Sequence, residues 1–319
     1  MKQDSPPFWY TLSYTEPERE IAQAEAEALL GDAEIVGAIA VSPARIDPSR
    51  AAYVSARLAP IARALDAEAL LEMVRRAGLE ALRFKVEVRH MHAPKSASYQ
   101  SLTSALGSVI GGRADLERPH DRFWALETAA GWWFGRVEAV GARAWGRFAP
   151  KKEWTFSSAL PPRLALACVN LACPRGSTFL DPCCGCGTLV LQAAAIGLTA
   201  VGADLNPKMV WLARKNLAHM SLSALVCLAD ARTIGSRFAG VATNLPYGKY
   251  LVRSSDLYED IADNLASQTK RAVFVTGDEC SHLWRQAGFA VTRVLRVPSG
   301  SVVRYVHLCL SESVARGAS

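Results

Sequence analysis

A chain of 319 residues has room for two domains, and its 50% hydrophobic and 21% charged composition excludes a disordered or fibrous protein. The formal charge of +6 hides an asymmetry, −5 over residues 1–50 and +11 beyond, which suits a polyanionic partner. Eight cysteines, three of them crowded at 183, 184 and 186, exclude a disulfide scaffold and point to a reduced, intracellular setting.

No apolar signal core follows Met1, and the longest nearly apolar stretch, 188–203, is broken by Gln192 and Gly197, so no membrane segment is expected. Phe8 to Tyr14 reads as a strand, and Glu16-Pro17-Glu18 opens a helix that runs to about Leu30 before Gly31. Ile35 to Val41 and Ala51 to Leu58 read as two further strands. Leu65 to Ala77 has helical period and ends at Gly78, while Leu82 to Val88 alternates strictly, as a half-buried strand does. Together these predict a small α+β layer structure. His90 and His92 have no carboxylate or Cys at ligand spacing and are read as non-catalytic.

Tyr99 to Gly112 predicts a helix closed by two glycines, followed by Ala114-Asp115-Leu116, Arg118-Pro119-His120-Asp121 and a hairpin of Phe123 to Glu127 with Trp132 to Val137. The succession over roughly 55–140 resembles a THUMP domain, which implies an RNA-binding module. Arg113 adds to its basic count. Arg143, Arg147, Lys151 and Lys152 are interleaved with Trp145, Phe148 and Trp154 just before residue 154, where a second domain is expected to begin. Such mixing suits phosphate contact and base stacking, or equally a charged linker whose aromatics pack on a domain.

From residue 160 the chain alternates helix and strand. Ser157 to Pro162 enters a buried helix over 163–172. Ser177 to Leu180 is a strand, and Asp181-Pro182-Cys183-Cys184-Gly185-Cys186-Gly187-Thr188 is the loop at its end, leading into a helix over 188–196. The spacing is Gly-x-Gly-x-x-Val, so the third glycine of a dinucleotide fingerprint is missing at Val190, which disfavours a dehydrogenase. The strand 199–203 ends in Asp204, where a carboxylate can accept ribose hydroxyls, and the strand 225–229 ends in Asp230-Ala231, where one can accept from an adenine amine. The run 238–243 ends in Asn244-Leu245-Pro246-Tyr247. The three cysteines lack a second Cys pair, so no metal is expected. Trp211 and Trp284 lie on amphipathic helices and are expected in the core. A strand over 272–276 and a terminal hairpin, 289–297 with 302–310, complete a seven-stranded sheet.

Three strand-end aspartates in register with a glycine loop and a terminal Asn-x-Pro-Tyr resemble the class I S-adenosylmethionine-dependent methyltransferases. The resemblance implies a Rossmann-like, mostly parallel seven-stranded sheet in residues 154–319. It also implies cofactor contacts from Asp181, Cys183, Gly185, Gly187, Thr188, Asp204, Leu205, Asp230, Ala231 and Asn244. Asn244-Leu245-Pro246-Tyr247 is similar to the signature of enzymes that methylate exocyclic or amide nitrogens. The chemistry fits the residue types. An exocyclic amine is a poor nucleophile, and hydrogen bonds from its protons to the Asn244 side-chain oxygen and the Leu245 carbonyl favour a pyramidal nitrogen with a localised lone pair. Pro246 keeps that carbonyl turned in, and Tyr247 stacks on the base. Lys249 and Arg253 then stand where phosphate contacts, or solvated loop charges, are expected.

As a whole the chain resembles the THUMP-containing tRNA guanine-N2 methyltransferases. Residues 1–153 then form a ferredoxin-like plus THUMP-like RNA-binding region. The resemblance implies a cytoplasmic enzyme acting on tRNA, and a family relative that works with a small zinc-binding partner implies such an activator here. The enzymes of guanosine 10 usually carry Asp in place of Asn244, whereas those of guanosine 6 carry Asn, so both positions stay open. The same tetrapeptide serves N6-adenine methylation of RNA or DNA and protein glutamine methylation. A non-catalytic RNA-binding subunit of a methyltransferase complex is the alternative of another class.

Overall fold

The computed structural model describes residues 7–92, 99–175, 177–246, 254–299 and 302–312. The expected candidates Tyr247, Lys249 and Arg253 lie outside them, as does the side chain of Lys152. The chain divides into two compact units, residues 1–14 with 30–142 and residues 15–29 with 143–319. The division falls at 142/143 rather than the expected 153/154.

The first unit contains β1 (Phe8–Leu12), β2 (Glu34–Val36), β3 (Ile39–Ser42), β4 (Val54–Ala64), β5 (Glu80–His90), β6 (Gly111–Ala114), β7 (Asp121–Thr128) and β8 (Gly131–Val140). They form one eight-stranded sheet in the order β2-β3-β1-β4-β8-β7-β5-β6. The run expected as a single strand from Ile35 to Val41 is a hairpin, because Gly37 takes φ +62° and turns the chain so that Val36 pairs with Ile39. Two helices, α2 (Ala67–Arg76) and α3 (Tyr99–Ser108), pack on one face through Leu70, Val74, Leu102 and Leu106. The Asp66 carboxylate caps α2 by accepting from the Ala69 N–H at 2.8 Å. The glycines expected only to close α3 begin β6, which pairs in parallel with β5 from Glu80 onward.

The helix α1 (Arg19–Leu30) was expected in the first domain, yet nearly all of it belongs to the second unit. Its charge pattern explains this. The fully buried Glu25 accepts from the Asn170 amide at 2.7 Å, Glu18 pairs with Arg163 at 3.4 Å, and Glu27 with Arg293 at 3.1 Å. A buried carboxylate requires such a partner, and Asn170 of the second unit supplies one.

The rest of the second unit runs α4 (Pro162–Ala172), β9 (Thr178–Asp181), α5 (Thr188–Ala195), β10 (Thr199–Asp204), α6 (Pro207–His219), β11 (Leu225–Leu228), β12 (Gly240–Asn244), α7 (Ser254–Ala266), β13 (Arg271–Thr276), α8 (Ser281–Gln286), β14 (Phe289–Ser299) and β15 (Val302–Ser311). Its sheet has the order β11-β10-β9-β12-β13-β15-β14, parallel except for β15, which runs antiparallel to both neighbours. Helices α7 and α8 bury Tyr258, Ile261, Leu265 and Trp284 against Leu180, Val241 and Phe274 on one face. Helices α4, α5 and α6 pack on the other. Trp284 is core, as expected, but Trp211 is 52% exposed, because α6 turns Val210, Ala213 and Leu217 inward instead. Among the described residues no helix is long and apolar enough to cross a membrane. Strand order reverses between β9 and β12, the switch point where such sheets leave a crevice at their carboxyl edge.

Candidate active site at the carboxyl edge of the sheet

A cavity of about 530 Å³ opens at that crevice, lined by the ends of β9, β10 and β12, the turn after β11, and the segment 156–160. This is a usual volume for a cofactor-sized ligand. Asp181, Cys183, Gly185, Thr188, Asp204, Leu205, Asp230, Ala231, Asn244, Leu245 and Pro246 all line it, so the strand-end residues expected to act together do meet. Gly187 stands just behind, as the left-handed N-cap of α5 with φ +91°.

The loop after β9 is tied to β10 by backbone geometry. The Cys184 N–H donates to the Ala203 carbonyl and the Gly185 N–H to Asp204 Oδ2, both at 2.8 Å. Gly185 sits at φ +52°, and a Cβ there would meet nothing within 4 Å, which leaves the loop backbone open to a ligand. The other Asp204 oxygen accepts from the Asn206 N–H at 2.8 Å, and Asn206 caps α6.

The three aspartates differ in environment. Asp181 is 2% exposed, and burial pushes its pKa up to about 7 although the Thr243 hydroxyl and the Cys183 N–H act in the opposite sense. Asp230 is gripped by Arg232, whose Nη2 lies 2.7 Å from Oδ2 and whose Nε lies 3.0 Å from Oδ1. That guanidinium holds its carboxyl below the usual range. Burial raises the Cys183 and Cys184 thiols far above the ordinary cysteine range, so they pack as small apolar groups.

At the end of β12, the Asn244 side chain donates through Nδ2 to the Ser158 carbonyl at 3.1 Å. Its Oδ1 is buried without a hydrogen-bond partner among the described residues. A buried acceptor left open at a cleft wall is a place for a ligand donor. Next to it the Leu245 N–H is fixed by the Val275 carbonyl at 3.0 Å, and Tyr258 donates its hydroxyl to the Pro246 carbonyl at 2.6 Å. Ser158 and Tyr258 were not singled out in the sequence; their part depends on contacts 86 and 12 residues away.

Residues 143–160 form a strap leading to this wall. Gln192 donates to the carbonyls of Trp145 and Phe148 at 3.0 and 3.1 Å. Asn216 accepts from the Lys151 N–H at 3.0 Å and donates to the carbonyls of Trp154 and Cys186 at 3.2 and 3.0 Å. Trp154 packs edge-on against His219 with Lys151 above it, and Trp145 lies under Arg163, so these aromatics serve packing. Phe156 alone of the strap's aromatics lines the cavity, 42% exposed. Arg143 and Arg147 are exposed on the strap, while Arg113 is exposed on β6 of the other unit.

Residues 151–304 match the model of the UPF0020 family, described as an RMKL-like methyltransferase domain. That match covers a little under half of the chain and takes in β9 to β14, in a sheet whose strand order is that of the class I methyltransferase fold. The chain is 30% identical over 203 residues to a tRNA (guanine(10)-N2)-dimethyltransferase of Pyrococcus abyssi, covering 57% of this chain and 59% of that one. It is 27% identical over 190 residues to the protein of the same name from Methanothermobacter thermautotrophicus, covering 53% and 54%. The chain thus spans little more than half the length of the curated relatives it matches. The crystal structure of TrmN from Thermus thermophilus shares the fold with a TM-score of 0.53 at 23% identity, over 95% of this chain and 99% of that one.

Proposed function

We propose that this protein is an S-adenosylmethionine-dependent tRNA methyltransferase that methylates the exocyclic N2 of a guanosine, at position 10 or position 6. The observation that carries the reading is the buried, open Oδ1 of Asn244 at the edge of an acidic, cofactor-sized cleft. The two relatives named for guanine N2 support the choice of base.

The cleft fits the methyl donor. Asp181 and Asp204 favour a cationic ligand, Asp230 being paired with Arg232, and the Gly185 backbone permits close approach. Asp204, backed by Gly185 and Asn206, is assigned to the ribose hydroxyls, and Asp230 with Ala231 to the adenine. Asp181, Cys183, Gly187, Thr188 and Leu205 shape the rest of the pocket. When bound, the sulfonium supplies an activated methyl group, so the acceptor nitrogen needs no strong base. Asn244 Oδ1 accepts a hydrogen bond from one N–H of the amine and the Leu245 carbonyl from the other, which turns the nitrogen lone pair out of the ring system. The nitrogen would form its bond to the methyl group as the sulfur–methyl bond breaks, the pair staying on a neutral thioether, and one amine proton would then pass to water. Tyr258 and Val275 hold the backbone that presents these acceptors. Tyr247 stacks on the base, and Arg113, Arg143, Arg147, Lys151, Lys152, Lys249 and Arg253 contact the RNA. A small zinc-binding activator is the further partner this reading carries, and the cytoplasm its place of work.

Incubation with labelled cofactor and unmodified tRNA, alone and with such an activator, followed by digestion to nucleosides, tests the reading. N2-methylguanosine is expected, and mapping the labelled nucleotide decides between positions 10 and 6. Label in adenine or in protein glutamine instead overturns it, as does tight tRNA binding without transfer under every condition.

A further inference from the structure

Phe156 is the aromatic side chain of the strap that lines the cavity. Its backbone carbonyl accepts from the Ala159 N–H at 3.0 Å, which closes a tight turn over residues 156–159. Ser158 stands at a corner of that turn, and its carbonyl takes the Asn244 amide at 3.1 Å. One turn therefore orients the amide that presents the acceptor oxygen and also carries the phenyl ring. The turn is held from behind as well: the Trp154 carbonyl accepts from Asn216 at 3.2 Å, and the Thr155 hydroxyl lies 3.6 Å from Cys186 Sγ.

The ring itself is left open. Trp145 and Trp154 each have a cation over one face, and Trp154 also meets His219 edge-on. Phe156 is 42% exposed and makes no ring or cation contact with another described residue. A lone phenyl ring on an open surface is ordinary. This one stands in a concave wall, on a turn fixed at both ends, two residues from the carbonyl that holds Asn244.

The chemistry of the acceptor has a use for such a ring. Asn244 Oδ1 and the Leu245 carbonyl meet the base at one edge, where the amine is, and two hydrogen bonds along an edge leave the base free to tilt about it. Tilt moves the nitrogen lone pair off the line to the methyl group, and that alignment governs the rate. A ring stacked on the face of the base removes the tilt at small entropic cost, because an aromatic side chain has few torsions to fix. Enzymes that act on a base outside its helix hold it between aromatic and apolar side chains in this way. Stacking is blind to base identity, so the choice of guanine stays with the polar contacts. We propose that Phe156 stacks on the target guanine and fixes the plane in which its amine meets the methyl donor. This rests on the reading of the protein as a guanine-N2 methyltransferase and adds a residue that positions the base.

The test uses the full chain under the conditions in which it methylates unmodified tRNA. Phe156→Ala should lower kcat/KM for tRNA by about 5-fold to 150-fold, the span of one lost base–aromatic stack. Its Kd for S-adenosylhomocysteine should stay within about twofold of the wild type. Phe156→Leu fills a similar space without an aromatic face and should recover little, whereas Phe156→Tyr should recover most of the rate. A tRNA carrying 2-aminopurine at the methylated nucleotide reports the stack directly, since that base keeps the amine and is quenched by a stacked ring. Its emission in the complex with S-adenosylhomocysteine should be higher for Phe156→Leu and Phe156→Ala than for the wild type. Equal rates for the leucine and wild-type proteins make the ring a space filler and overturn the stack, as does unchanged emission. A loss of S-adenosylhomocysteine affinity of about tenfold or more, with kcat at saturating cofactor intact, assigns the ring to the cofactor and overturns it too. Where alanine prevents folding, the leucine and tyrosine proteins carry the comparison. Wild-type transfer to adenine or protein glutamine, or to nothing, overturns the functional reading and the stack with it; guanosine transfer that is indifferent to Phe156 overturns the stack alone.

Discussion

The carbonyl of Ser158 takes the amide N–H of Asn244 at 3.1 Å, and this one bond decides which end of that amide meets the acceptor. With the donor end engaged, the oxygen is the end left for an incoming amine. Asn244→Ala should therefore lower kcat by at least about 100-fold, the scale of a misplaced reacting atom. Cofactor affinity, measured by calorimetry, should stay within about twofold of the wild type, because the loop after β9 and the end of β10 are untouched. A large loss of affinity with intact turnover would reverse the assignment.

Asp204 should behave in the opposite manner. Its two oxygens already hold the Gly185 and Asn206 N–H groups, so Asp204→Ala both removes a ligand acceptor and loosens the glycine loop. Cofactor Kd should rise about tenfold or more, while kcat at saturating cofactor changes little. Asp204→Asn keeps one acceptor oxygen and should lose less. Titration of all three proteins with S-adenosylhomocysteine reads this out.

Cofactor affinity should also depend on pH through Asp181. Burial raises its pKa to about 7, so the carboxyl of the free protein is largely neutral on the acid side of that value and negative above it. A cationic ligand prefers the ionised form, hence Kd should fall as pH rises through about 7. In Asp181→Asn the dependence should flatten. For folding the sign is reversed: the raised pKa stabilises the free protein below the ordinary carboxylate range, and this contribution is lost as pH climbs from about 4 to about 7.

His307 contributes the contrary slope. It is fully buried between the Thr276 hydroxyl, 3.0 Å from Nε2, and the Ser281 hydroxyl, 3.5 Å from Nδ1, with the exposed Glu279 carboxylate 3.9 Å away. Burial lowers its pKa to about 4, so the folded chain holds it neutral while the unfolded chain binds a proton from about pH 6.5 downward. Stability should be full above about pH 6.5 and fall on acidification to about pH 4, by on the order of 3 kcal/mol. Denaturant melts of His307→Gln at several pH values should lack this decline; an unchanged pH profile would show that His307 does not cause it.

The strand-end residues were legible in the sequence because their placement needs only local rules. Asp181, Asp204 and Asn244 each follow a short apolar run, and a parallel sheet brings the ends of such runs to one edge. The partners that orient them were not legible. Ser158, Tyr258, Gln192 and Asn216 act through contacts between segments far apart in the chain, and their immediate neighbours carry no trace of it. The same holds for α1, whose Glu25 looks like an ordinary helix-surface acid until Asn170 is seen beside it. The Ile35 to Val41 run failed for a different reason: one glycine in a short apolar run marks a turn as easily as a weak strand position, and only pairing with β1 decides. Trp211 shows the limit of helical periodicity on a helix with apolar residues on several sides.

The strap has a mechanical consequence. Asn216 holds Lys151, Trp154 and the Cys186 carbonyl of the glycine loop at once, and the strap continues directly to Ser158. The strap that ends at Ser158 and the glycine loop are therefore tied to one buried side chain on α6, and a change at Asn216, which does not itself line the cavity, would shift both walls together.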